Sequence, residues 1–116
     1  MEIRGQAVQL RIYITEARKL GHAPLYEAIV HRARETGLAG ATVMKGVMGY
    51  GPTSRIRTAK ILDLSANMPM VIEIVDEEAK IEAFREVLSG LFEEAGCGGL
   101  VTLENIRVIH YLPEKH

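Results

Sequence analysis

Three glycines in the six-residue run Gly46-Val47-Met48-Gly49-Tyr50-Gly51, with Arg55 and Arg57 shortly after, are the residues here whose types and spacing could do chemistry. Glycines at a strand end let the chain turn sharply and present consecutive backbone N–H groups, which makes a concave anion site. Arg55 and Arg57 are two apart, so in extended chain both guanidinium groups face the same way and could grip one anion. The run is not a Walker A loop, because no Gly-Lys-Ser/Thr follows. Nor is it a dinucleotide fingerprint, because Pro52 and charged residues stand where a helix would begin. The plainer reading of the same residues is a glycine-rich hairpin turn and a solvated loop end. A second cluster, Gly96-Cys97-Gly98-Gly99, has the same two readings: a helix C-terminus with its loop, or a backbone cradle for phosphate or ribose. Two clusters at strand ends beside a basic loop point to a phosphorylated small ligand. The candidate contacts are Gly46, Met48, Gly49, Tyr50, Gly51, Arg55, Arg57, Gly96, Gly98 and Gly99.

Other reactive side chains assemble into nothing. His22, His31, His110 and His116 lack the helical i, i+4 spacing of a metal pair, and His31 is placed on the outer face of the first helix. Cys97 follows a helix C-terminus, where the dipole disfavours a thiolate, so it reads as a bystander. No Ser/His/Asp or Cys/His arrangement is found, and the chain reads as a binding module rather than an enzyme. Glu73 lies within an apolar strand, where a carboxylate must be paired or line a cleft. Glu16 and Arg11 are candidates for pairing between subunits, and Met44, Met48, Met68 and Met70 read as core and interface filler.

The elements that must hold these residues are legible from periodicity. Val8, Leu10, Ile12 and Ile14 alternate with polar residues and predict a half-buried strand. From Pro24 to Thr36, Leu25, Ile29 and Ala33 recur at helical spacing, with Gly37 beyond. A second strand is expected over Thr42–Met48, then the loop Gly49–Thr58, an extended piece Lys60–Leu64 and a turn at Ser65-Ala66-Asn67. Met70–Val75 is the most apolar strand, and Asp76 reads as the N-cap of a helix whose Ile81, Phe84, Leu88, Leu91 and Ala95 form one face. Leu100–Leu103, a turn at Glu104-Asn105, and a last strand with Ile106, Val108 and His110 close the chain. The order predicts an α+β, ferredoxin-like βαββαβ sandwich: a four-stranded antiparallel sheet with both helices on one face. The other face would then need cover from further copies.

Composition narrows the function classes. At 116 residues the chain suits one domain, and its 47% apolar and 25% charged content is that of a globular protein. A net charge of −1 argues against nucleic acid as a partner. No apolar run is long enough to span a membrane, so direct membrane insertion is not expected, and the opening Met1–Gln6 carries no signal-peptide pattern. With one cysteine and no leader, the expectation is a cytoplasmic protein.

The sequence resembles the PII-like signalling proteins, a branch of the nitrogen-regulatory PII superfamily. The resemblance is carried by Arg11-Ile12-Tyr13 with Glu16, Pro24-Leu25-Tyr26-Glu27, Gly40-Ala41-Thr42-Val43 leading into Gly46 and Gly49-Tyr50-Gly51, Leu62-Asp63-Leu64-Ser65, Met68-Pro69, Ile72–Asp76 and Gly99-Leu100-Val101-Thr102. It covers residues 8–112 of a single domain spanning 1–116. It implies a homotrimer with adenine nucleotide in clefts between subunits. It also implies a T-loop at Gly49–Lys60 that contacts a partner protein, and a phosphate loop at Gly96–Gly99. Genes of this family often lie beside membrane-transport genes, so the partner class implied is a transporter or channel. A related branch, the divalent-cation tolerance proteins, makes a metal-binding trimer the alternative. A phosphate-handling enzyme of ferredoxin-like architecture is the other.

The sequence departs from true PII proteins at the phosphates. Gly99 stands where they carry a lysine, and Val108 and His110 stand where they carry an Arg-x-Arg pair. The loop is also shorter, with no tyrosine at its tip. Each lost charge-assisted contact is worth roughly 1.5–3 kcal/mol. The expected ligand is therefore AMP or ADP rather than ATP, with Arg55 and Arg57 partly replacing the missing charge and His110 kept as a contact.

Overall fold

A computed structural model describes residues 5–58 and 67–112. The expected extended piece Lys60–Leu64, the motif Leu62–Ser65, most of the following turn and His116 lie outside the described residues. The elements are β1 (Gly5–Thr15), β2 (Lys19–Leu20), β3 (Ala23–Pro24), α1 (Leu25–Glu35), β4 (Thr42–Lys45), β5 (Met48–Gly49), β6 (Arg57–Thr58), β7 (Pro69–Asp76), α2 (Glu78–Ala95) and β8 (Leu100–Val108). Four strands form an antiparallel sheet in the order β4-β7-β1-β8. This is the ferredoxin-like βαββαβ arrangement.

Strand and helix periodicities meet in one core. Leu10, Ile12 and Ile14 of β1 and Met70, Ile72 and Ile74 of β7 point to the same side, where α1 brings Leu25, Ile29 and Ala33 and α2 brings Ile81, Phe84, Leu88 and Leu91. All are buried, each contributing about 1.5–3 kcal/mol for the larger apolar side chains. The opposite sheet face is banded rather than uniformly apolar. Met44, Val71, Tyr13 and Leu100 lie in one register row across all four strands, and Thr42, Glu73, Arg11 and Thr102 lie in the next. Arg11 Nε donates to Glu73 Oε2 at 2.7 Å, and that bond raises the arginine pKa above its already high ordinary value.

Several expectations are corrected. Arg11 and Glu16 pair within the chain, the first with Glu73 and the second with Lys45 Nζ at 3.0 Å, because cross-strand and neighbouring positions already supply their partners. The second strand stops at Lys45, and Met48–Gly49 belongs to a separate small hairpin with Arg57–Thr58. β8 does not turn at Glu104-Asn105: those residues pair with Gln9 and Val8, since pairing with the long β1 keeps the strand extended. His110 falls beyond its end. Asp76 does not cap α2. It is fully buried at the end of β7, where Oδ1 accepts the Glu77 N–H at 2.7 Å and Oδ2 accepts the Ala39 N–H at 2.9 Å. The carboxylate thereby fastens the α1–β4 connection to the sheet. Of the methionines, Met68 and Met70 are core, whereas Met44 and Met48 are exposed.

Candidate functional site

The first glycine cluster is built by close packing on Pro69. Gly46 N–H donates to Pro69 O at 2.7 Å, and a Cβ on Gly46 would lie 2.8 Å from Pro69 Cγ. A Cβ on Gly49 would lie 3.3 Å from the same atom. These glycines let the chain cross the start of β7. They do not form a cradle of free amides: Gly46's amide is taken, and neither residue has a positive φ. Gly49 is paired with Arg57 across the β5–β6 hairpin, and Ser54 N–H closes the tip onto Gly51 O at 2.8 Å. The hairpin spans Met48, Gly49, Tyr50, Gly51, Arg55 and Arg57, with Gly46 just before it. Neither arginine makes an ion pair among the described residues. Val47, Met48, Tyr50 and Ile56 stand 59 to 75% exposed around them.

The second cluster is made differently. Gly96 takes a left-handed φ of 69° and closes α2, with its N–H on Glu93 O and the Cys97 N–H on Phe92 O, both at 3.1 Å. This is the glycine-terminated helix end that the sequence predicts. Gly99 has a steric reason: a Cβ there would lie 2.5 Å from Tyr13 O and 2.7 Å from Ile14 Cγ2. A lysine could not occupy that position without moving β1. A Cβ on Gly51 or Gly98 would meet nothing within 4 Å, so the fold of one chain does not demand glycine at either. Cys97 is half-buried against the core.

Topology decides what these parts can do together. Gly46 follows Lys45, whose partner is Met70, and Gly99 precedes Leu100, whose partner is Tyr13, so both clusters lie at the same end of the sheet. They lie on opposite edges, however, because β7 and β1 separate β4 from β8. Three strand spacings put them about 14 Å apart. His110 lies past Val108, which pairs with Gly5 at the other end of β1, roughly 25–30 Å from both clusters. One chain thus holds the two clusters apart and gathers neither with His110. Sequence reasoning missed the groove of about 670 Å³ between α2 and β8 that runs up to Gly98 and Gly99. Its signal was Val101 and Leu103, which read only as strand residues but stand exposed beside the helix.

The family model described as DUF190, "Uncharacterized ACR", matches residues 7–108. The chain belongs to this family. It is 42% identical over 101 residues to a UPF0166 protein of Aquifex aeolicus, covering 87% of this chain and 91% of that one. A UPF0166 protein of Methanocaldococcus jannaschii is 35% identical over 99 residues, 85% and 88% of the two chains. Among solved structures, CPII, a nitrogen regulatory PII-like protein from Thiomonas intermedia K12 bound to ADP, AMP and bicarbonate, aligns with a TM-score of 0.66 at 18% identity, over 89% and 88% of the chains. GlnK of B. subtilis aligns with a TM-score of 0.54 at 14% identity, over 87% and 85%. The DUF190 chain has the PII-like fold that its sequence resemblance implies. No helix among the described residues is long and apolar enough to cross a membrane.

Proposed function

We propose that this DUF190 protein is a PII-like regulator, a homotrimer that binds AMP or ADP in preference to ATP between its subunits and signals occupancy through the 49–60 loop. The observation that carries this reading is the placement of the two glycine clusters at one end of the sheet but on opposite edges. A β4 edge of one copy brought beside the β8 edge of another unites Gly46–Gly51, Arg55 and Arg57 with Gly96, Gly98 and Gly99. Antiparallel neighbours keep both glycine ends on the same side. The CPII structure, with ADP and AMP bound on the same fold, supports adenine nucleotide as the ligand class. Arg55 and Arg57 are the cations proposed for its phosphates, and Gly99 has no room for a lysine.

Binding would work as a bias on the loop. Phosphate held by Arg57, whose strand pairs with Gly49, favours one arrangement of the hairpin, and a partner protein reads that arrangement. The ligand shifts the loop only by its differential affinity for the two arrangements. A transporter or channel is the partner class proposed, and no catalytic step is assigned. Calorimetric titration with AMP, ADP and ATP, on protein whose mass is measured by light scattering, tests the reading. Saturation near one nucleotide per subunit with mono- or diphosphate preferred is expected. Tighter ATP binding overturns the ligand preference, and no heat from any nucleotide overturns the sensor reading.

A further inference from the structure

An exposed apolar segment and the α2–β8 groove complement each other, and they lie on opposite edges of the described sheet. The hairpin carries Val47, Met48, Tyr50 and Ile56 toward solvent with Arg55 and Arg57 and no acidic residue. The groove between α2 and β8 presents Val101, Leu103 and Phe92 along its floor and wall, with Glu82, Arg85 and Glu86 on its α2 rim, a net single negative charge. Glu82 is already held by Arg85 Nη1 at 2.9 Å, whereas Glu86 makes no ion pair among the described residues. α2 as a whole bears five glutamates against one lysine and one arginine. Apolar exposure of this kind marks a surface that is covered in use, and opposite charge on the two rims sets its partner.

We propose that the Val47–Arg57 hairpin of one copy docks into the α2–β8 groove of the next, its apolar side chains on Val101, Leu103 and Phe92 and its arginines on the Glu82–Glu86 rim. The hairpin cannot reach the groove of its own chain, because β7 and β1 stand between the two edges. A second copy whose β4 edge meets β8 brings the hairpin to it at the end where the groove meets Gly98 and Gly99. The inference rests on the proposed assembly for the nearness of a second copy. It adds a place for the loop when no nucleotide holds it: docked, the loop is withheld from a partner protein.

Nucleotide-free protein carrying Cys97→Ser, Ile56→Cys and Ser89→Cys, treated with a short bis-maleimide, tests the docking. Ser89 lines the groove and is exposed, and Ile109, 84% exposed at the far end of β8, provides the control in Ile109→Cys with Ser89→Cys. Chains joined covalently about tenfold faster than in the control are expected, and Arg55→Glu with Arg57→Glu slows the joining about tenfold, since like charges then meet. Adding Glu82→Lys and Glu86→Lys restores it. Multimeric protein that cross-links no faster than the control overturns the docking and leaves the nucleotide reading standing. Protein that is monomeric by light scattering overturns both.

Discussion

At the scale of single residues, the glycines separate into those the fold requires and those it does not. Gly99→Ala drives a Cβ into the Tyr13 carbonyl at 2.5 Å, and neither backbone has slack, so a loss of about 1–3 kcal/mol is expected in urea unfolding. Gly98→Ala meets nothing, and stability within about 0.5 kcal/mol of the parent is expected. If Gly98 lies against nucleotide between subunits, the same variant weakens AMP binding in calorimetry. Unchanged affinity removes Gly98 from the site. Asp76→Ala leaves the Ala39 and Glu77 amides without their acceptor at a buried position, for an expected loss on the order of 3 kcal/mol by the same unfolding measurement. Sequence reasoning assigned Asp76 a structural role but the wrong contact. A helix cap is a local pattern, whereas the bond to Ala39 joins residues 37 positions apart.

At the scale of elements, the β5–β6 hairpin is where a local signal became a defined structure. Glycine spacing identified it, and pairing of Gly49 with Arg57 shows why arginine and glycine meet. Arg55→Ala and Arg57→Ala are each expected to weaken nucleotide binding by roughly 1.5–3 kcal/mol while leaving the mass in light scattering unchanged. Equal affinity in both variants and the parent would make the hairpin a protein-contact surface only. β8 shows the limit of local reading. Glu104-Asn105 has turn composition, yet β1 offers an unbroken ladder from Gly5 to Tyr13 and the strand follows it. Tertiary pairing outweighs propensity where the partner strand is long.

At the scale of the whole molecule, the banded sheet face bears on the proposed assembly. The apolar row Met44, Val71, Tyr13 and Leu100 is the part of the helix-free face suited to burial by other copies, and the Arg11–Glu73 pair beside it is satisfied within the chain. Leu100→Asp puts a charge into that row at a residue 60% exposed in the single chain, so folding should persist while the proposed trimer dissociates. Light scattering with circular dichroism reads both. A variant that keeps its mass would place the subunit contact elsewhere.

The sequence by itself determined the two helices, the central strands and the core, because these follow from periodicities of two and 3.6 residues that act over a few positions, and its family resemblance pointed to the PII-like fold. It also located both glycine clusters and the arginines. Only the tertiary structure decided that Gly46 and Gly99 are demanded by Pro69 and Tyr13, that Arg11 pairs with Glu73, and that a groove opens beside β8. The strand order decided that the two clusters stand at one end on opposite edges. Each of these depends on residues distant in the chain meeting across the sheet, and which strands become neighbours is set by packing both helices on one face.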